Sequence, residues 1–152
     1  MEKVNKIFIS YSRQDEEWKD RLVTQMRVLQ QQIALEIWDD RRIQGGEEWL
    51  SEIENALQSA NIAILLISPT FLTSNFIMEK EVPRLLERRQ KQGIRIFPVI
   101  VKPCAWQKVD WLKRLQARPK DGKALSEMRK PKADAAIVAL ANELSELMNV
   151  SS

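Results

Sequence analysis

Residues 62–67 read IAILLI, six apolar side chains in a row with no polar residue among them. Successive side chains of a strand point to opposite faces, so a run of this kind needs cover on both. It falls far short of the roughly 20 apolar residues that span a bilayer. Asn61 on one side and Ser68-Pro69 on the other bound it as a strand. A chain that contains such a strand must also supply two layers to bury it.

The rest of the sequence does so. Short β-rich runs recur at 6–10 (KIFIS), 34–38 (ALEIW) and 95–101 (RIFPVIV), with a weaker candidate at 114–119 (RLQARP). Between them apolar residues recur at three- and four-residue steps, the period of a helix. Trp18, Leu22, Met26, Leu29 and Ile33 form one stripe after Asp15, read as an N-cap. Trp49, Ile53, Ala56 and Leu57 form a second, Met78, Val82, Leu85 and Leu86 a third, and Ile137, Leu140, Ala141, Leu144 and Leu147 the last. Strands alternating with amphipathic helices indicate βαβ units. The expectation is one α/β domain over residues 1–150: a flavodoxin-like three-layer sandwich whose parallel five-stranded sheet has the order 2-1-3-4-5, with helices on both faces. Residues 119–134 read as a polar connection before the last helix.

Composition narrows the chemistry. The chain has no histidine, which excludes His-based triads and metal sites. Its one cysteine, Cys104, forms no internal disulfide and reads as packing. No apolar targeting segment precedes the first strand, so a cytoplasmic protein with no membrane partner is expected. Between Lys113 and Lys132 stand eight Lys or Arg against Asp121 and Glu127, without aromatic interleaving or a nucleic-acid motif. That segment reads as a solvated loop, and no nucleic-acid partner is expected. Asp39 and Asp40 have the oxygens for a divalent cation, but Arg41 and Arg42 beside them already balance the charge; no metal is expected.

In open parallel sheets ligands sit beyond the carboxyl ends of the strands, where the strand order reverses. Here that crevice lies between strands 1 and 3. Its walls are SYSRQD (10–15) and SPTFLTSNF (68–76), with WDDRRIQGG (38–46) opening on the same edge. Ser10, Tyr11, Ser12 and Arg13 offer the hydroxyls and the guanidinium that a ribose or phosphate needs. Ser68-Pro69 reads as a helix start and Ser74-Asn75 as a second cap. Pro83 lies inside the following helix and predicts a bend. Glu79 and Glu81 stand on opposite borders of that helix's apolar stripe, and periodicity does not choose between them. Ile77 and Leu85 flank Glu81 one turn away on either side, which makes it the more desolvated carboxylate. The plainer reading of both is as acids favoured near a helix N-terminus.

Four stretches together resemble the TIR domain, in its bacterial form: FISYSRQDEEW, WDDRRIQGGEEWLSEIENAL, ILLISPTFLTSNFIMEKEV and FPVIVKPCAW. The resemblance covers nearly the whole chain in order. It implies the flavodoxin-like fold and one of two roles. Some TIR domains are scaffolds that associate with one another through the loop after strand 2, here residues 38–46. Others take NAD⁺ as substrate, with no further cofactor, and cleave its nicotinamide–ribose bond. In those a glutamate early in the third helix, followed by an apolar residue, is indispensable; Glu81-Val82 fits and Glu79-Lys80 does not. Phe76-Ile77 stands where the family often has Trp-Cys, and Glu81 lies one residue farther on than usual, so Glu79 is the reserve candidate.

On this resemblance Glu81 is catalytic, and Ser10, Tyr11, Ser12, Arg13, Ser68, Phe71, Ser74 and Phe76 line the NAD⁺ site. Asp39, Arg41 and Ile43 border that site or the next subunit. The resemblance also implies a role in bacterial immune signalling; the polar end MNVSS would suit either a whole protein or a piece cut before a sensor or effector domain. A phosphoacceptor receiver shares the topology, but it needs an aspartate ending strand 3, where ILLISPT stands, and an acidic pair after strand 1, where SYSRQD stands.

Overall fold

The computed structural model describes residues 4–39 and 46–150. Four strands, β1 (Asn5–Ser10), β2 (Leu35–Trp38), β3 (Ile62–Ile67) and β4 (Arg95–Ile100), form one parallel sheet in the order β2-β1-β3-β4. The helices are α1 (Glu16–Gln30), α2 (Gly46–Ser59), α3 (Pro69–Leu72), α4 (Val82–Gln92), α5 (Asp110–Lys113) and α6 (Lys130–Val150).

The period of two along the strands sorts the side chains into two cores. Ile7, Ile9, Ile64 and Leu66 face Leu22 and Met26 of α1 and Ile137, Leu140 and Leu144 of α6. Phe8, Ala63, Leu65 and Ile67 face Ile53 and Leu57 of α2 and Val82 and Leu85 of α4. Every residue of β3 is buried, as an all-apolar run with a layer on each side demands. The fold is the expected three-layer α/β sandwich.

The fifth strand is a correction. Residues 114–119 contribute one bridge to the sheet, Val99 to Arg118, rather than a strand. Arg118 N–H donates to Pro98 O and Ile100 N–H to Arg118 O, each at 2.8 Å. The preceding rung of a parallel ladder would need an N–H at position 98 to reach Gln116 O. Proline has none. Gln116 O instead accepts from the Arg118 guanidinium at 2.9 Å.

Where the sequence predicts a bend at Pro83, the structure has a change of helix type just before it. Residues Ile77–Glu81 make a π turn, closed by Val82 N–H donating to Ile77 O. A π turn accommodates one residue more than an α turn. The extra residue between Phe76-Ile77 and Glu81, noted above as a departure from the family spacing, falls within it.

Candidate functional site

The switch between β1 and β3 lies where α1 leads to one side of β1 and α2 returns to the other. Ser10 ends β1 there, and its Oγ donates to Glu81 Oε1 at 2.6 Å. Both residues are fully buried. The bond joins the carboxyl end of the sheet to the π turn, across 71 residues of sequence. Glu79, two residues away, is exposed. The geometry thus separates two carboxylates that sequence period left equivalent.

A second buried acid lies on the same edge. Asp15 is the residue before α1, yet its side chain makes no cap bond. The reading of Asp15 as a capping side chain is therefore corrected. Its Oδ2 accepts from Ser68 Oγ and, at 3.4 Å, from Thr70 Oγ1, while Lys102 Nζ lies 2.7 Å from its Oδ1. Lys102 Nζ also donates to Gln14 O at 3.3 Å. One ionic knot thus ties the exits of β1, β3 and β4 together. Ser68 belongs to it twice, since its Oγ also accepts from Phe71 N–H at 3.1 Å and starts α3.

The third group anchors the exit of β2. Tyr11 OH donates to Asp39 O at 2.8 Å. Lys19, itself buried, lies 2.6 Å from Asp20 Oδ1 and 3.4 Å from Asp39 Oδ2, with its ammonium 5.4 Å from the centre of the Tyr11 ring. Burial pushes the Lys19 ammonium down, but its bond to Asp20 and the charges of Asp39 and Asp20, with Tyr11 beside it, outweigh this and raise it above the ordinary lysine value.

The other expected site residues have local roles of their own. Ser12 and Ser74 are caps, accepting from Gln14 N–H and Ile77 N–H, each at 3.3 Å. Arg13, next to Ser12 in sequence, is exposed. Phe71 is packed wholly within the α2–α4 core. Phe76 lines a cavity of about 320 Å³ with Leu50 and Ile53 of α2 and with Lys80 and Arg84. Arg41 and Ile43 lie outside the described residues, as does most of the 38–46 loop. Cys104 is half-buried, and burial pushes its thiol up. Sequence reasoning missed Lys19, Thr70 and Lys102; the one trace of Lys102 was a cation directly after an apolar strand.

A family profile described as the TIR domain matches residues 7–136. The chain belongs to the TIR-domain family. It is 33% identical over 140 residues to the uncharacterised protein y4lF of Sinorhizobium fredii, covering 92% of this TIR chain and 42% of that relative. The chain therefore spans less than half the length of the curated relative it matches. The TIR domains of the activated Roq1 resistosome, which directly recognises the pathogen effector XopQ, superpose with a TM-score of 0.52 at 18% identity, over 91% of this chain and 84% of theirs. The TIR domain of the Toll-related receptor TRR-2 from Hydra magnipapillata gives 0.47 at 23% identity, over 64% and 71%. Among the described residues no helix is long and apolar enough to cross a membrane.

Proposed function

We propose that this TIR domain cleaves NAD⁺ at the nicotinamide–ribose bond, with Glu81 as the catalytic carboxylate. The observation that carries the reading is the position of Glu81: an acid at the carboxyl edge of the sheet, at the strand-order switch, held at 2.6 Å by Ser10. The C1′–N bond breaks with its electron pair going to the pyridine ring, and nicotinamide leaves as a neutral base. No general acid is required, in keeping with a chain that lacks histidine. The ribose is left as an oxocarbenium-like cation, which a facing carboxylate stabilises electrostatically. Water then captures C1′ to give ADP-ribose, or an adenine ring nitrogen does so to give a cyclic product.

Glu81 is covered in the single chain. Substrate thus reaches it only after the crevice opens, which ties turnover to self-association, with residues 38–46 as the contact. The TIR domains of the fold neighbour belong to an activated resistosome, and assembly as the activating event follows the same logic. The setting would be bacterial immune signalling in the cytoplasm.

The test is NAD⁺ consumption at increasing protein concentration, with and without a crowding agent, for the wild type and Glu81→Gln. Glutamine keeps an acceptor for Ser10 and removes the charge. Loss of turnover in a folded variant is expected; full retention overturns the assignment. The burial of Glu81 and its bond to Ser10 also favour a second reading, a non-catalytic assembly module in which Glu81 is a brace. That reading is decided for by concentration-dependent association with no NAD⁺ loss at any concentration.

A further inference from the structure

The outer edge of β4 is left half open. Arg95 N–H donates to Asn61 O at 3.2 Å and Val101 N–H to Ile67 O at 2.9 Å, so the odd-numbered residues of this segment face β3. Even-numbered residues face outward. There Arg118 takes Pro98 O and Ile100 N–H, whereas the N–H and C=O of Ile96 have no partner on that side among the described residues. Beside them runs a groove of about 850 Å³. Ile94, Ile96, Phe97, Leu115 and Leu147 give it an apolar floor. On its rim stand Arg89, Arg95 and Arg114, all exposed and without an acidic partner among the described residues. Arg118 is neutralised by Glu143 at 2.5 Å, which leaves Glu146 as the one unpaired acid of the lining against three arginines.

We propose that this groove binds an extended acidic peptide, which adds to β4 as a further strand. Strand addition uses the free backbone groups of an edge, while alternate side chains enter pockets. Here one face of the incoming strand meets the apolar floor and its acidic residues meet the three guanidinium groups. Two other occupants fit less well. A single-stranded nucleic acid needs an exposed aromatic platform, but Phe97 is buried and lies under the Arg118 guanidinium at 5.5 Å. A second copy would have to present an acidic strand. The opposite sheet edge, β2, carries one acid, Glu36, already 3.9 Å from Lys6 of the same chain.

The experiment titrates the chain with a fluorescein-labelled peptide alternating Glu and Val, read by anisotropy and by backbone amide NMR. Saturable binding is expected, weakening as salt is raised, with the Ile96 amide among the most perturbed. Arg95→Glu and Arg114→Glu should each weaken it about tenfold while leaving thermal unfolding unchanged, since both side chains are exposed. N-methylation of alternate peptide nitrogens should abolish it. Equal affinity for a Lys-Val peptide, indifference to N-methylation, or tighter binding of a single-stranded oligonucleotide would each overturn the proposal. So would dimerisation of the free chain that protects the Ile96 amide.

Discussion

Asp15 and Lys102 make a pair whose two members do not cost the same to remove. The Asp15 side chain is wholly buried, whereas that of Lys102 keeps 37% of its surface exposed. A lysine freed of its partner reaches water; a buried carboxylate freed of its partner does not. Lys102→Met should therefore destabilise by about 3 kcal/mol, and Asp15→Asn by roughly half of that. Denaturant unfolding of both variants measures the asymmetry, and the reverse order would count against the knot. Lys19 differs, because its effect appears with pH. Its ammonium is held above the ordinary value of 10.5, so the stability it contributes is fully present below about pH 10.5 and is lost as pH rises through the raised value. Urea midpoints of the wild type and Lys19→Met should run at a constant separation through neutral pH and converge above 10.5. A gap unchanged into strong alkali would refute the role of Asp20 and Asp39 in raising it.

At the scale of elements, what the sequence announced and what it hid differ by the range of the interaction. The all-apolar β3 and the Ser68-Pro69 start of α3 are local signals, and both appear as expected. So does the burial of Glu81 over Glu79, which rested on neighbours one turn away. The partners of Asp15 were not legible, because Ser68 and Lys102 are brought to it by the sheet and share no spacing with it. The fifth strand was overestimated although its obstacle was in plain view: Pro98 lies in the strand it would have to pair with. Pro98→Val supplies the missing donor and should let Gln116 O join the ladder. The new amide at position 98 is then expected to exchange slowly with solvent, and the 114–118 segment to gain strand character by NMR. Free exchange at that amide would show that something other than the lost hydrogen bond keeps the edge open.

On the scale of the whole molecule, the carboxylate at the heart of the proposed chemistry and the loop proposed to complete its site belong to different parts of the chain. Glu81 is carried by the π turn before α4, while Ile43 stands in sequence between β2 and α2. If one subunit supplies the carboxylate and its neighbour the loop, the two can be inactivated separately. Chains carrying Glu81→Gln keep a working loop, and chains carrying Ile43→Asp keep a working carboxylate. Each alone should turn over little NAD⁺ at any concentration. Mixed in equal amounts they form junctions at which an intact loop meets an intact Glu81. Random assembly makes such junctions about a quarter of the total, since each of two independent positions is filled correctly half the time, and activity should recover toward about that fraction of wild type when mixtures are compared at matched degrees of association, Ile43 being part of the 38–46 contact. Measuring NAD⁺ loss against the mixing ratio should give a maximum near equal amounts. A flat response across all ratios would mean that the loop acts on the glutamate of its own chain, and the shared crevice would have to be abandoned even if Glu81 were catalytic.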